Sequence, residues 1–130
     1  MHKLISLILC LVAFLLISCA PDPWDQVVGS LNELETVMRQ NVEDPDKLIV
    51  ELDRLIETKQ PELRDAHQRI INGSVSTGDR KLNANKQKLL DVIVRITDLD
   101  LEIQDRLRDD PQKLYAYMKR VNQLGVFESE

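Results

Sequence analysis

Apolar residues recur along this chain at intervals of three and four, and three Asp-Pro pairs cut the pattern into segments: Asp22-Pro23, Asp44-Pro45 and Asp110-Pro111. An aspartate carboxylate accepts hydrogen bonds from the unpaired N–H groups of a first helical turn, and proline suits the next position because no N–H is needed there. Each pair is therefore read as a helix start. The first segment, 23–42, carries Trp24, Val27, Leu31, Leu34 and Met38, an a/d seam of heptad spacing. The second, 45–72, carries Ile49, Leu52, Ile56, Leu63, Ala66 and Ile70, with Pro61 in the outward phase. An interior proline costs about 3 kcal/mol. The register nevertheless continues across Pro61, which favours one kinked helix over two short ones. Asn72-Gly73 closes it, glycine being free to take a left-handed cap.

Asp79 then caps a third helix, 80–108, whose seam is Leu82, Leu89, Val92, Ile96, Leu99 and Ile103. The fourth, 111–124, carries Leu114, Tyr117, Met118, Val121 and Leu124. Gly125 follows its end, and Val126 falls where it would touch Val121 in a Schellman cap. No stretch shows sustained strand-like alternation. The expected fold is all-α: an up-down antiparallel helical bundle over 23–130, with three long helices and a shorter C-terminal one. Short connections make successive helices neighbours, so the second and third are expected to form a long hairpin on which the first and fourth pack.

The start of the chain has a different pattern. Met1-His2-Lys3 is short and basic, and the 14 residues Leu4–Ile17 carry no charge. That is the layout of a secretory signal peptide. As a helix the run spans roughly 21 Å, short of the ~30 Å hydrocarbon core of a bilayer. It closes with Leu16-Ile17-Ser18-Cys19, followed by Ala20. This resembles the lipobox of bacterial lipoproteins: a leucine, an aliphatic or small residue, a small residue, then cysteine. The resemblance covers residues 1–19. It implies cleavage between Ser18 and Cys19, removal of 1–18, and acylation of Cys19 on its sulfur and on its new amine. Three acyl chains, at about 0.8 kcal/mol per buried CH₂, make an anchor that does not readily dissociate. In lipoproteins sorted as in enterobacteria, Ala20 in place of aspartate implies the outer membrane, facing the periplasm. Residues 19–22 are then a lipidated cysteine and a short tether.

Removing 1–18 leaves 112 residues with a side-chain charge of −6. Cys10 departs with the signal and Cys19 carries lipid, so no thiol remains for a disulfide, a metal or a nucleophile. His67 is the only histidine left, and the serines have no second histidine to form a relay. Asp98, Glu102 and Asp105 share one helix face, but the stretch lacks the turn glycine of a calcium loop and reads as a solvated acidic face. No metal, cofactor, small-molecule substrate, nucleic-acid surface or catalytic site is expected, and the chain is not read as an enzyme.

Two surfaces stand out instead. Behind the third seam lie Leu90, Val94 and Leu101, at spacings of four and seven. They are either extra core, if that helix is surrounded, or a stripe left for another chain. Residues 58–90 hold a net +4, including Arg80, Lys81, Lys86 and Lys88, while 33–57 sum to −5. An up-down path returns this basic end to the side where the first helix starts, so it would face the membrane. Trp24 fits the first seam, and it also lies close enough to Cys19 to reach headgroup level. Together these features predict a membrane-anchored envelope lipoprotein acting as a non-catalytic, adaptor-like protein-binding module. Secretin pilotins are helical lipoproteins of similar size, but no pilotin motif is present, so that comparison is with the fold only. The alternatives are a self-associating structural lipoprotein and an immunity or exclusion lipoprotein.

Overall fold

The computed structural model describes residues 22–73 and 79–125, apart from the side chains of 73 and 79–83. Ser18, Cys19 and Val126 lie outside these residues, as do the side chains of Arg80, Lys81 and Leu82. Four helices follow one another: α1 (Pro23–Asn41), α2 (Pro45–Gly73), α3 (Asp79–Arg106) and α4 (Pro111–Gln123). Among the described residues there is no strand.

All three Asp-Pro starts behave as local chemistry dictates. The Asp22 carboxylate accepts from the N–H of Trp24 at 2.9 Å and of Asp25 at 3.4 Å. Asp44 accepts from Lys47 N–H at 3.2 Å, and Asp110 from Lys113 N–H at 3.2 Å. Gly125 takes φ +72° after α4, the left-handed conformation expected of a glycine there. Pro61 is exposed, and α2 runs through it as one helix.

The core forms a single cluster drawn from every helix. Leu31, Leu34 and Met38 come from α1, and Val92, Ile96, Leu99 and Ile103 from α3, extended by Leu107 in the turn beyond. From α4 come Tyr117 and Val121, extended by Leu124 at its C-cap, while Met118 stands 41% exposed on the outer side. On α2 the buried line is Leu48, Leu52, Leu55 and Ala66, and Ile56 and Leu63 pack only partly against it. The line starts one residue before the expected Ile49 because the run Leu48-Ile49-Val50 has no intrinsic phase. Packing selects Leu48 and leaves Val50 60% exposed. Trp24 is half-buried and lies outside the core cluster.

Helix order departs from expectation. The second and third helices are expected to pack along each other, but among the described residues α2 and α3 are not a closely packed pair. Instead α1 packs along both of them, and α4 packs along α2. The reason lies in α1, whose apolar arc (Val27, Leu31, Leu34, Val37, Met38) is wide enough to serve two neighbours. Polar ties fix the directions. Gln26 and Glu33 on α1 meet Arg69 and Lys59 on α2, so the two run antiparallel. Asp46, Asp53 and Gln60 on α2 meet Lys113, Arg120 and Gln123 on α4, so these two run parallel. The helices alternate up and down, but α2 and α3 sit across the bundle from each other.

Candidate functional site

The stripe behind α3 is the first surface to place. Its seam residues Val92 and Ile96 are buried, and a helix advances 100° per residue. Leu90, Val94 and Leu101 therefore project opposite the core, and they are 55%, 59% and 61% exposed. Of the two readings open from the sequence, extra core is excluded. Two of the three acidic residues beside the stripe are engaged locally, Glu102 with Arg106 at 3.2 Å and Asp105 with Arg108, while Asp98 is exposed. Among the described residues no group of three His, Cys, Asp or Glu side chains is placed to hold a metal ion.

A second surface was not foreseen. Between α2 and α3, beyond the end of α4, lies an open groove of about 460 Å³. Val27 and Leu31 of α1 line it together with Leu63, Arg64 and His67 of α2 and Leu89 and Ile93 of α3. Gln123, Leu124 and Gly125 close one end. Its cause is a mismatch of lengths. α4 ends where Gln60 donates to the Gln123 carbonyl at 3.4 Å, while α2 continues to Gly73. His67 is exposed and has no hydrogen-bond partner among the described residues.

No known protein family, curated protein or solved structure matches this chain.

Three polar clusters hold the bundle around these surfaces. Glu35 on α1 accepts from Arg39 at 3.0 Å and from Arg95 Nε at 3.1 Å to each oxygen, while Arg95 also donates to Asn32 at 3.3 Å. Burial alone would raise the Glu35 pKa, but the hydrogen bonds from Arg39 and Arg95 outweigh it and hold the carboxyl below its ordinary value. Lys59 bridges Glu33 and Glu62 at 3.3 Å each, and chiefly the Glu33 hydrogen bond raises its pKa. The buried Tyr117 hydroxyl donates to Asp100 at 2.6 Å; burial first, then that bond, pushes its pKa far above the usual phenol range. Asn85 occupies a core-facing position of α3, 6% exposed, and its side-chain N–H₂ has no partner among the described residues.

At the basic end, Arg69 donates to Gln26 at 3.5 Å, which places the later half of α2 beside the first turns of α1. Lys86 and Lys88 are exposed on α3 near this end. Two residues apart on a helix, they diverge by about 200° and do not form one flat patch. No helix among the described residues is long and apolar enough to cross a membrane.

Proposed function

We propose that this chain is a lipid-anchored, non-catalytic helical module of the bacterial envelope that binds another envelope protein. The observation that carries the reading is the stripe Leu90, Val94 and Leu101, more than half exposed on the outer face of α3. Large apolar side chains aligned along one exposed helix face mark an interaction surface more often than isolated ones do. The lipobox-like Leu16-Ile17-Ser18-Cys19 supports the anchor. A tether of Ala20, Pro21 and Asp22 would keep the bundle within about 10–15 Å of the bilayer. The outer membrane, facing the periplasm, is the location that Ala20 favours.

Self-association is the second reading, because spacings of four and seven along the stripe suit helix-to-helix pairing. The test is capture of the membrane-anchored protein after mild crosslinking, as wild type, Leu90→Ser/Leu101→Ser and Cys19→Ala. A discrete partner held by wild type and lost from the stripe variant supports the reading, and Cys19→Ala should lose acylation and membrane retention. A captured species that is only a second copy favours self-association. Normal palmitate labelling of Cys19→Ala removes the anchor from the proposal.

A further inference from the structure

We infer that the groove beyond the end of α4 receives an amphipathic helix of a partner protein, and that the flanks of this helix are acidic. The inference rests on the protein-binding reading above and names the chemistry of the partner segment. It starts from helix lengths. α4 runs parallel to α2 from the Lys113–Asp46 pair to the Gln123–Gln60 hydrogen bond and stops there. From Gln60 to Gly73, α2 continues for 13 residues. At 1.5 Å per residue that is about 20 Å of bundle with three helices around a position that a fourth fills lower down. The groove lies beyond the end of α4 and in line with it, since Gln123, Leu124 and Gly125 close one end.

Its lining states what would fill it. Leu31 from α1, Leu63 from α2, and Leu89 and Ile93 from α3 offer apolar surface on three sides. α4 shows the complementary form within this same chain, since Tyr117, Val121 and Leu124 lie along one buried face. A guest with apolar residues at i, i+3, i+4 and i+7 presents the same face.

Charge selects the flanks. The chain carries 22 acidic side chains against 17 Lys and Arg, yet among the described residues no Asp or Glu lines the groove. Arg64 does line it, and it has no ion-pair partner among the described residues. His67 lies one turn further along the same helix and also lines the groove. A basic flank on the guest would meet Arg64 with like charge, whereas a Glu or Asp would give it the carboxylate it lacks.

The experiment uses the full acylated chain in nanodiscs of zwitterionic lipid, with empty nanodiscs as control. The probe is a fluorescent peptide of about 13 residues, the length that fills roughly 20 Å as a helix. It has leucine at i, i+3, i+4 and i+7 and glutamate at the flanking positions; a second peptide carries lysine in place of glutamate. Fluorescence anisotropy should show the glutamate peptide binding wild type. Arg64→Glu/His67→Glu should weaken it at least about tenfold and strengthen binding of the lysine peptide. Ile93→Gln should weaken both peptides with helicity unchanged. Equal binding of the two peptides to wild type, or indifference to the charge reversal, overturns the inference. Binding that appears only in a chain ending at Gly125 would make the chain's own end the occupant, and it overturns the inference too. So would a concentration-dependent doubling in size that Arg64→Glu/His67→Glu abolishes, which would make a second copy the occupant. If the peptides fail while a partner is still captured through the α3 stripe, the groove falls and the protein-binding reading stands.

Discussion

Replacing Leu90 or Leu101 by serine separates a free stripe from a hidden one. A fully buried leucine cut to a small residue costs about 2–5 kcal/mol. Leu90 and Leu101 already expose 55% and 61% of their surface, so less than half of the transfer free energy is at risk and no cavity opens. Full burial of a leucine side chain is worth about 1.5–3 kcal/mol, which leaves about 1 kcal/mol or less per site. The poorer helix propensity of serine adds a few tenths. At about 4 °C per kcal/mol for a domain of this size, each variant should melt within roughly 5 °C of wild type. Ile96→Ala supplies the contrast. Ile96 is 0% exposed at the centre of the core, and losing it should lower Tm by about 8–20 °C. The assay is thermal unfolding followed by far-UV circular dichroism, with the three variants side by side. If Leu90→Ser or Leu101→Ser falls as far as Ile96→Ala, the stripe is covered in the folded protein and the reasoning fails.

Three further outcomes follow from the polar clusters. Glu35→Gln should cost about 1 kcal/mol at neutral pH, since Arg95 is half-exposed and solvent weakens the pair. The lowered Glu35 pKa means its contribution is present above the unfolded value and lost as pH falls through the folded one, so wild type and variant should converge in Tm below the ordinary glutamate range. Tyr117→Phe removes a hydrogen bond to a carboxylate and should cost about 1–3 kcal/mol, measured by urea unfolding. The raised Tyr117 pKa makes its contribution complete below the ordinary tyrosine value and progressively lost above it, so the gap to Tyr117→Phe should narrow in alkali. Asn85→Leu removes a buried amide whose N–H₂ has no partner among the described residues and should raise Tm by several degrees; a lower Tm with unchanged helicity would mean that the amide is satisfied or leucine does not fit.

What was legible in the sequence was local. Each Asp-Pro cap needs only its own first turn, so Asp22, Asp44 and Asp110 were readable without knowing the fold. The α3 seam was readable because Val92, Ile96, Leu99 and Ile103 are separated by polar residues that fix its phase. The start of α2 was not, because Leu48-Ile49-Val50 offers three phases and only packing chooses. Asn85 is not legible as a core position because a polar residue in a seam carries no apolar signal. Helix neighbours are not legible in the sequence because chain order favours adjacency, while the wide apolar arc of α1 favours two contacts of its own. The groove depends on both facts at once. A short last helix was expected, but a short helix leaves a groove only if it lies between α2 and α3.

The end of the bundle that holds the groove is also the end where α1 begins, as the Arg69–Gln26 contact requires. Two uses for its basic residues compete there, a bilayer and an acidic helix. Lys86 and Lys88 point about 200° apart and lie roughly 10–14 Å along α3 from its first residue. An anionic bilayer meeting that end is about a Debye length from either charge, where attraction is weakened, so a bilayer contact would rest mainly on Arg80 and Lys81, nearer the start of α3. An acidic helix in the groove would meet Arg64 directly, at far shorter range than the bilayer. With Cys19 as the anchor, the tether would hold this same end close to the bilayer. The groove would then favour a partner segment that emerges from the membrane or lies along it, because such a segment reaches the site without displacing the bundle.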